Sequence, residues 1–209
     1  SSPVLCKAQK VAYIAGAGDL TKQAIQQLGV QVTSVPTNAL MSFDYKNYDA
    51  VILGVRAYNT VTEIDHLLPT LFAYVHNGGN LIVQYNTLSN LRTEKTGPVP
   101  FKLSQQRVTN ENAPPQFIDS KSLVLNHPNK IEQTDFQGWV QERGLYFASQ
   151  WHPAYQTPLA MADKGEDALK GSLLVLAHGK GHFVYTGLSF FRQLPAGVPG
   201  AYKLMANLL

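Results

Sequence analysis

The chain has six histidines and one cysteine, the side chains best suited to metal, nucleophilic or general-base chemistry. Their spacing argues against all three. Among His66, His76, His127, His152, His178 and His182 no pair forms the H-E-x-x-H motif that places two imidazoles on one helix face. His178 and His182 flank a Gly-rich turn with no carboxylate pair beside them, so no metal site is expected. A cysteine or serine nucleophile needs a sharp strand-to-helix turn and a base within reach. Cys6 precedes the first strand, and the turn after a central strand reads Val83-Gln84-Tyr85-Asn86-Thr87, with neither G-x-C-x-G nor G-x-S-x-G. No catalytic residue is assigned. Gly16-Ala17-Gly18 follows the first strand, but the third glycine of a dinucleotide fingerprint would fall on Thr21, so a tight turn without a cofactor is expected.

A different chemistry is concentrated where apolar runs end. Arg56, Tyr58 and Asn59 follow one run, Gln84, Tyr85 and Asn86 a second, and Phe191 and Arg192 come after the last. In a parallel sheet the carboxyl ends of the strands share an edge, and ligands bind in the crevice there. Arg56, Tyr58, Asn59, Asn86 and Arg192 are therefore expected to line one crevice for a polar, hydroxylated or anionic ligand. Arg192 joins them only if its strand ends on the same edge. The competing reading is a structural rim in which Arg56 and Arg192 pair with Asp19, Glu142 or Glu111. Gln141-Glu142-Arg143 is read as a structural ion pair.

The elements that must position these residues follow from periodicity. Lys10–Ala15 is a strand, and the helix after it is capped by Asp19 and ended by Gly29. Val30–Val35 alternates as a strand, and Tyr48–Val55 is a near-continuous apolar run typical of a strand covered on both faces. Thr60-Val61-Thr62-Glu63 has the form of a capping box before a helix that runs to about Asn77, with Pro69 inside it. Asn80–Tyr85 is another buried strand. Ser172–Leu188 is a β-hairpin around a Gly-rich turn, and a final helix covers Gly200–Leu209. Between them, residues 87–129 are rich in Pro, Asn, Gln and Ser and read as an irregular insertion. The alternation predicts an α/β three-layer sandwich, mainly parallel, with an antiparallel hairpin near the C-terminus, in a single domain over 1–209.

Composition bounds the rest. With 209 residues, 44% hydrophobic and only 15% charged, the chain can bury a large core and is not disordered. A net charge of +3 without a basic run leaves no nucleic-acid footprint. No apolar stretch reaches the roughly 18 residues of a membrane span. The Ser1-Ser2-Pro3 start, lacking Met or a signal pattern, reads as a fragment of a longer chain.

Tyr48–Thr60 and Tyr74–Thr87, with Gly97–Phe101, Arg107–Ala113, Gly138–Arg143 and Phe190–Tyr202, resemble one group. It is the class I glutamine amidotransferase-like domain at the carboxyl end of long bacterial PIG-L (LmbE-like) deacetylases, with a looser similarity to ThuA-like relatives. The resemblance implies a flavodoxin-like fold, and a catalytic deacetylase domain elsewhere in the same chain as its partner. It also implies a carbohydrate ligand and an exported or periplasmic location. The deacetylase motif Pro-His-Pro-Asp-Asp is absent here. Trp151-His152-Pro153 is similar to the His-Pro-Glu of amidotransferases, but Ala154 replaces the glutamate, so a surface histidine is expected. Two functions follow: a non-catalytic accessory domain that binds a glycan or packs on the deacetylase, or a small-molecule enzyme of ThuA-like type. A free carboxylate or histidine in the crevice would separate them, with Asp19 and Glu111 as the candidates.

Overall fold

The computed structural model describes residues 3–209. The elements run β1 (Lys10–Ile14), α1 (Thr21–Gln27), β2 (Gln31–Ser34), β3 (Ala50–Leu53), α2 (Ala57–Thr60), α3 (Ile64–His76) and β4 (Asn80–Gln84). They continue with β5 (Lys102–Leu103), β6 (Gln116–Phe117), α4 (Leu123–Asn126), β7 (Ala148–Gln150), β8 (Leu159–Ala160), β9 (Leu173–His178), β10 (Gly181–Thr186), α5 (Phe190–Gln193) and α6 (Pro199–Leu208). Six strands form one sheet in the order β2-β1-β3-β4-β10-β9. Every neighbouring pair from β2 to β10 is parallel, and only β9 runs antiparallel. The α/β sandwich and the terminal hairpin are as the periodicity predicts.

Because side chains alternate across a strand, each strand feeds two cores. Val11, Ala50, Ile52, Ile82 and Val184 pack on one face with Ile25 of α1 and Leu204 and Met205 of α6. Ala12, Ile14, Val51, Leu53, Leu81 and Val83 pack on the other with Ile64, Leu67, Leu68, Leu71 and Val75 of α3. This is why the central runs lack polar alternation. Gly29 ends the α1 turn with φ 82°, the left-handed value expected of it. Among the described residues no helix is long and apolar enough to cross a membrane.

The capping box does not form. Thr60 is the last residue of α2, and its hydroxyl donates back to the Arg56 carbonyl at 3.2 Å. Glu63 takes the N-cap position of α3 with no side-chain bond to the helix start. A local motif lost its threonine to the helical turn before it. Pro69 does lie inside α3, and it cannot bond the carbonyl of Asp65 four residues back. Lys95 Nζ donates to that carbonyl at 3.0 Å, so a loop lysine replaces the missing helix bond.

The irregular segment is longer than expected. It extends from Thr87 to Gly171, interrupted by α4, one short 3₁₀ turn and two small two-stranded sheets, β5-β7 and β6-β8. Arg143 anchors its middle, donating to the carbonyls of Ala113 and Phe136 with its guanidinium over the Phe136 and Trp139 rings. Burial pushes this guanidinium down to about 10, still a cation at neutral pH. The structural ion pair read from Gln141-Glu142-Arg143 is present at Glu142 and does not involve Arg143. Arg143 satisfies backbone carbonyls, while Glu142 pairs with arginines distant in sequence.

Burial raises the pKa of Tyr13, Tyr45, Tyr58, Tyr74, Tyr155 and Tyr185, that of Tyr45 to about 12. The folded state thus favours the neutral phenols over the unfolded value of about 10, so their contribution is complete below that pH and is lost as pH rises through the folded values. Tyrosinate absorbance should rise together with loss of circular dichroism above about pH 10. Ionisation of all ten tyrosines with the fold intact would refute this.

Candidate functional site

The five parallel strands end along one edge, and the chain is drawn tightly together there. After β3 the backbone turns sharply into α2 at Arg56, which is left-handed with φ 62° and ψ 24°. The Gly16 loop packs onto this turn: Ala17 N–H donates to the Val55 carbonyl at 2.8 Å, and a Cβ on Gly16 would lie 2.1 Å from the same oxygen. Gly16 is required by backbone meeting backbone. Asp19 fastens the same corner. Its Oδ1 accepts from the Tyr13 hydroxyl at 2.7 Å and from the Thr21 amide at 3.1 Å, while Oδ2 accepts from the Val55 amide at 2.9 Å. It serves the helix start as expected and also joins β1 to β3.

Of the five residues expected to line a crevice, the structure brings two to its rim. Arg56 donates its amide to the Tyr85 carbonyl at 2.8 Å. Arg192 is on the same edge because β10 runs parallel to β4, which meets the condition set for it. Tyr58, Asn59 and Asn86 instead turn inward. The fully buried Tyr58 hydroxyl donates to the Thr96 carbonyl at 2.8 Å. Asn59 Nδ2 donates to the carbonyls of Thr87, Ser89 and Asn90. Asn86 Oδ1 accepts from the Tyr58 amide at 2.8 Å. These three hold the start of the irregular segment against the sheet.

Tyr85 stands at the centre of the rim. Its ring is nearly parallel to Tyr146, with centroids 6.0 Å apart, and lies 5.2 Å from Phe191. Arg192 lies 4.7 Å over Phe191. Burial pushes the Tyr85 phenol up, and the nearby Arg56 and Arg192 charges pull it partly back. Glu142, almost wholly buried, accepts from Arg192 Nε and from Arg107 Nη2, the latter at 2.6 Å. Arg192 thus pairs as the structural reading anticipated. Arg56 makes no ion pair among the described residues, and its buried Nε has no acceptor. The other buried side-chain atoms without a partner are Gln84 Oε1, at the end of β4, and Ser172 Oγ, beside the end of β10. All three fall at this edge.

Sequence reading offered Glu142 as a pairing partner in the rim but missed Arg107 and Tyr146, since they come from a segment without periodicity. The sharp strand-to-helix turn follows β3 and not β4, so the residue in the strained position is Arg56 and not Tyr85 or Asn86. An arginine there is a fixed cation and not a nucleophile. His152 is exposed, its Nδ1 accepting from the Ala154 amide at 2.9 Å. No group of three or more His, Cys, Asp or Glu among the described residues could hold a metal ion.

Removing the Glu142 carboxylate would leave two guanidinium groups facing one another, both partly open to water. Glu142→Ala should therefore lower unfolding free energy by about 1–3 kcal/mol, less than for a fully buried pair. Denaturant titration checks it; an unchanged midpoint would show that Glu142 does not organise the rim.

No protein-family model matches the chain, and no curated protein matches it in sequence. Solved structures do. A cytoplasmic protein from Salmonella typhimurium superposes with a TM-score of 0.62 at 13% identity, over 95% of this chain and 96% of that one. A protein described as ThuA-like, from Parabacteroides merdae, gives 0.60 at 14% identity over 97% and 88%. A Thermoplasma acidophilum protein described as belonging to a GMP synthase gives 0.56 at 10% over 96% and 92%. At such identities the likeness concerns the fold, and the fold of this chain is a flavodoxin-like α/β sandwich.

Proposed function

We propose that this domain is a non-catalytic binding unit whose strand-end rim takes a small hydroxylated anion, of which a sugar acid is the simplest example. The observation that carries the reading is Arg56: held left-handed, without a carboxylate partner, and with a buried Nε that lacks an acceptor. A left-handed non-glycine residue costs on the order of 1–2 kcal/mol, and such strain persists where surrounding structure enforces it, often at ligand sites. The guanidinium fork matches a carboxylate, and the Tyr85 and Phe191 rings offer apolar faces beside it.

Of the two candidate carboxylates, Glu111 acts on Arg143 inside the irregular segment, and Asp19, like the Glu142 of the rim, is occupied. Asp19 accepts three hydrogen bonds, and Glu142 is clamped by two arginines, so neither is free as a general acid or base. This favours binding over a ThuA-like enzymatic role. The further assignment, an accessory domain of a PIG-L/LmbE-like N-acetyl-sugar deacetylase that binds glycan for the catalytic domain, rests on the resemblance of the Tyr48–Thr60, Tyr74–Thr87 and Phe190–Tyr202 segments.

Calorimetric titration with galacturonate and, separately, galactose tests the reading. The acid should bind and the neutral sugar should not. Arg56→Gly should weaken binding about tenfold or more, the loss of a charged hydrogen bond of about 1.5–3 kcal/mol. The same variant should melt at an equal or higher temperature, because glycine tolerates positive φ. A variant that melts lower, or that binds galacturonate as well as the parent, would make Arg56 a structural residue.

A further inference from the structure

The opposite edge of the sheet carries a site of another kind. A cavity of about 620 Å³ opens there, beside the starts of β4 and β10. Small-molecule sites typically measure about 300–1,000 Å³. Val175 and Val184, paired across the β9-β10 hairpin, line it together with Leu208 of α6 and Val124 of α4. Leu123, the first residue of α4, stands at its wall with 68% of its surface exposed, the most exposed large apolar residue among those described. Among the side chains of the lining, Lys7 and Lys121 are matched by Asp49 and Asp119, so their formal charges balance. The remaining titratable groups are His127 and His182. Asp49 is already engaged, accepting from the Gln9 and Lys10 amides at 2.8 and 2.9 Å. Nothing in this lining selects a net charge, while the apolar surface and the leucine at its wall favour an apolar body.

We propose that this cavity binds a neutral, mainly apolar small molecule, an alkyl or aryl body whose hydroxyl or amide groups meet polar wall residues such as Ser122 and Gln156. The site is independent of the arginine rim, because it lies at the amino ends of strands whose carboxyl ends form that rim.

Fluorescence titration of the intact chain with N-phenyl-1-naphthylamine tests it, with the sulfonated analogue as the charged control. The neutral probe should bind saturably at one site, about tenfold or more tighter than the sulfonate, and octyl glucoside below its micellar concentration should displace it. Ala177 is exposed and lies two residues beyond Val175 on the cavity side of β9. Ala177→Trp should fill the mouth and Leu123→Asp should strip the wall, each weakening binding about tenfold without moving the melting temperature. Arg56→Gly should leave this binding unchanged, which separates the fate of this site from that of the rim. Absence of saturable binding, equal or tighter binding of the sulfonate, or full affinity in both Ala177→Trp and Leu123→Asp would overturn the proposal.

Discussion

Both faces of the parallel sheet are buried, so backbone groups leaving the strands must find partners at the two ends of the sheet. At the carboxyl end these partners are side chains. Asp19 takes the Val55 and Thr21 amides, Gln84 Nε2 reaches the Leu53 carbonyl at 3.1 Å, and the Asn86 amide donates to the Tyr185 hydroxyl at 3.0 Å. A polar lattice therefore closes the end of the apolar layers. It also explains why glycine is needed at position 16, where two loops approach within backbone contact.

The same lattice decides which polar residues remain for a ligand. Tyr58, Asn59 and Asn86 have the chemistry of a sugar site, but the start of the irregular segment uses their hydrogen-bonding groups. Arg56 is left because its backbone, and not its side chain, makes the structural contact: its amide bonds Tyr85 while the guanidinium stays unpaired. The irregular segment then completes the rim. It delivers Arg107, Glu142 and Tyr146, the last held at φ 49° with its ring beside Tyr85. A common fold thus acquires an individual site from the loop grafted on it.

The two ends of the sheet differ in electrostatic character for this reason. Arg107 and Arg192, paired with the buried Glu142, and the unpaired Arg56 gather at the carboxyl end. At the amino end, lysines and aspartates balance around valine and leucine side chains.

The strands, their order of burial, the Gly29 helix end and the hairpin could be read from sequence, because apolar periodicity records which side of each element faces a core. Arg56 could be found as well, since it follows directly on a strand whose run is unmistakable. What sequence alone could not decide was direction and distance. Whether the second hairpin strand runs with or against β4 depends on which neighbour the hairpin meets, and that choice placed Arg192 on the rim. Glu142 joins arginines 35 and 50 residues away, and Lys95 reaches a carbonyl exposed by Pro69. Partnerships of this kind leave no periodic trace, because they depend on where polar groups are left unsatisfied once the layers have packed.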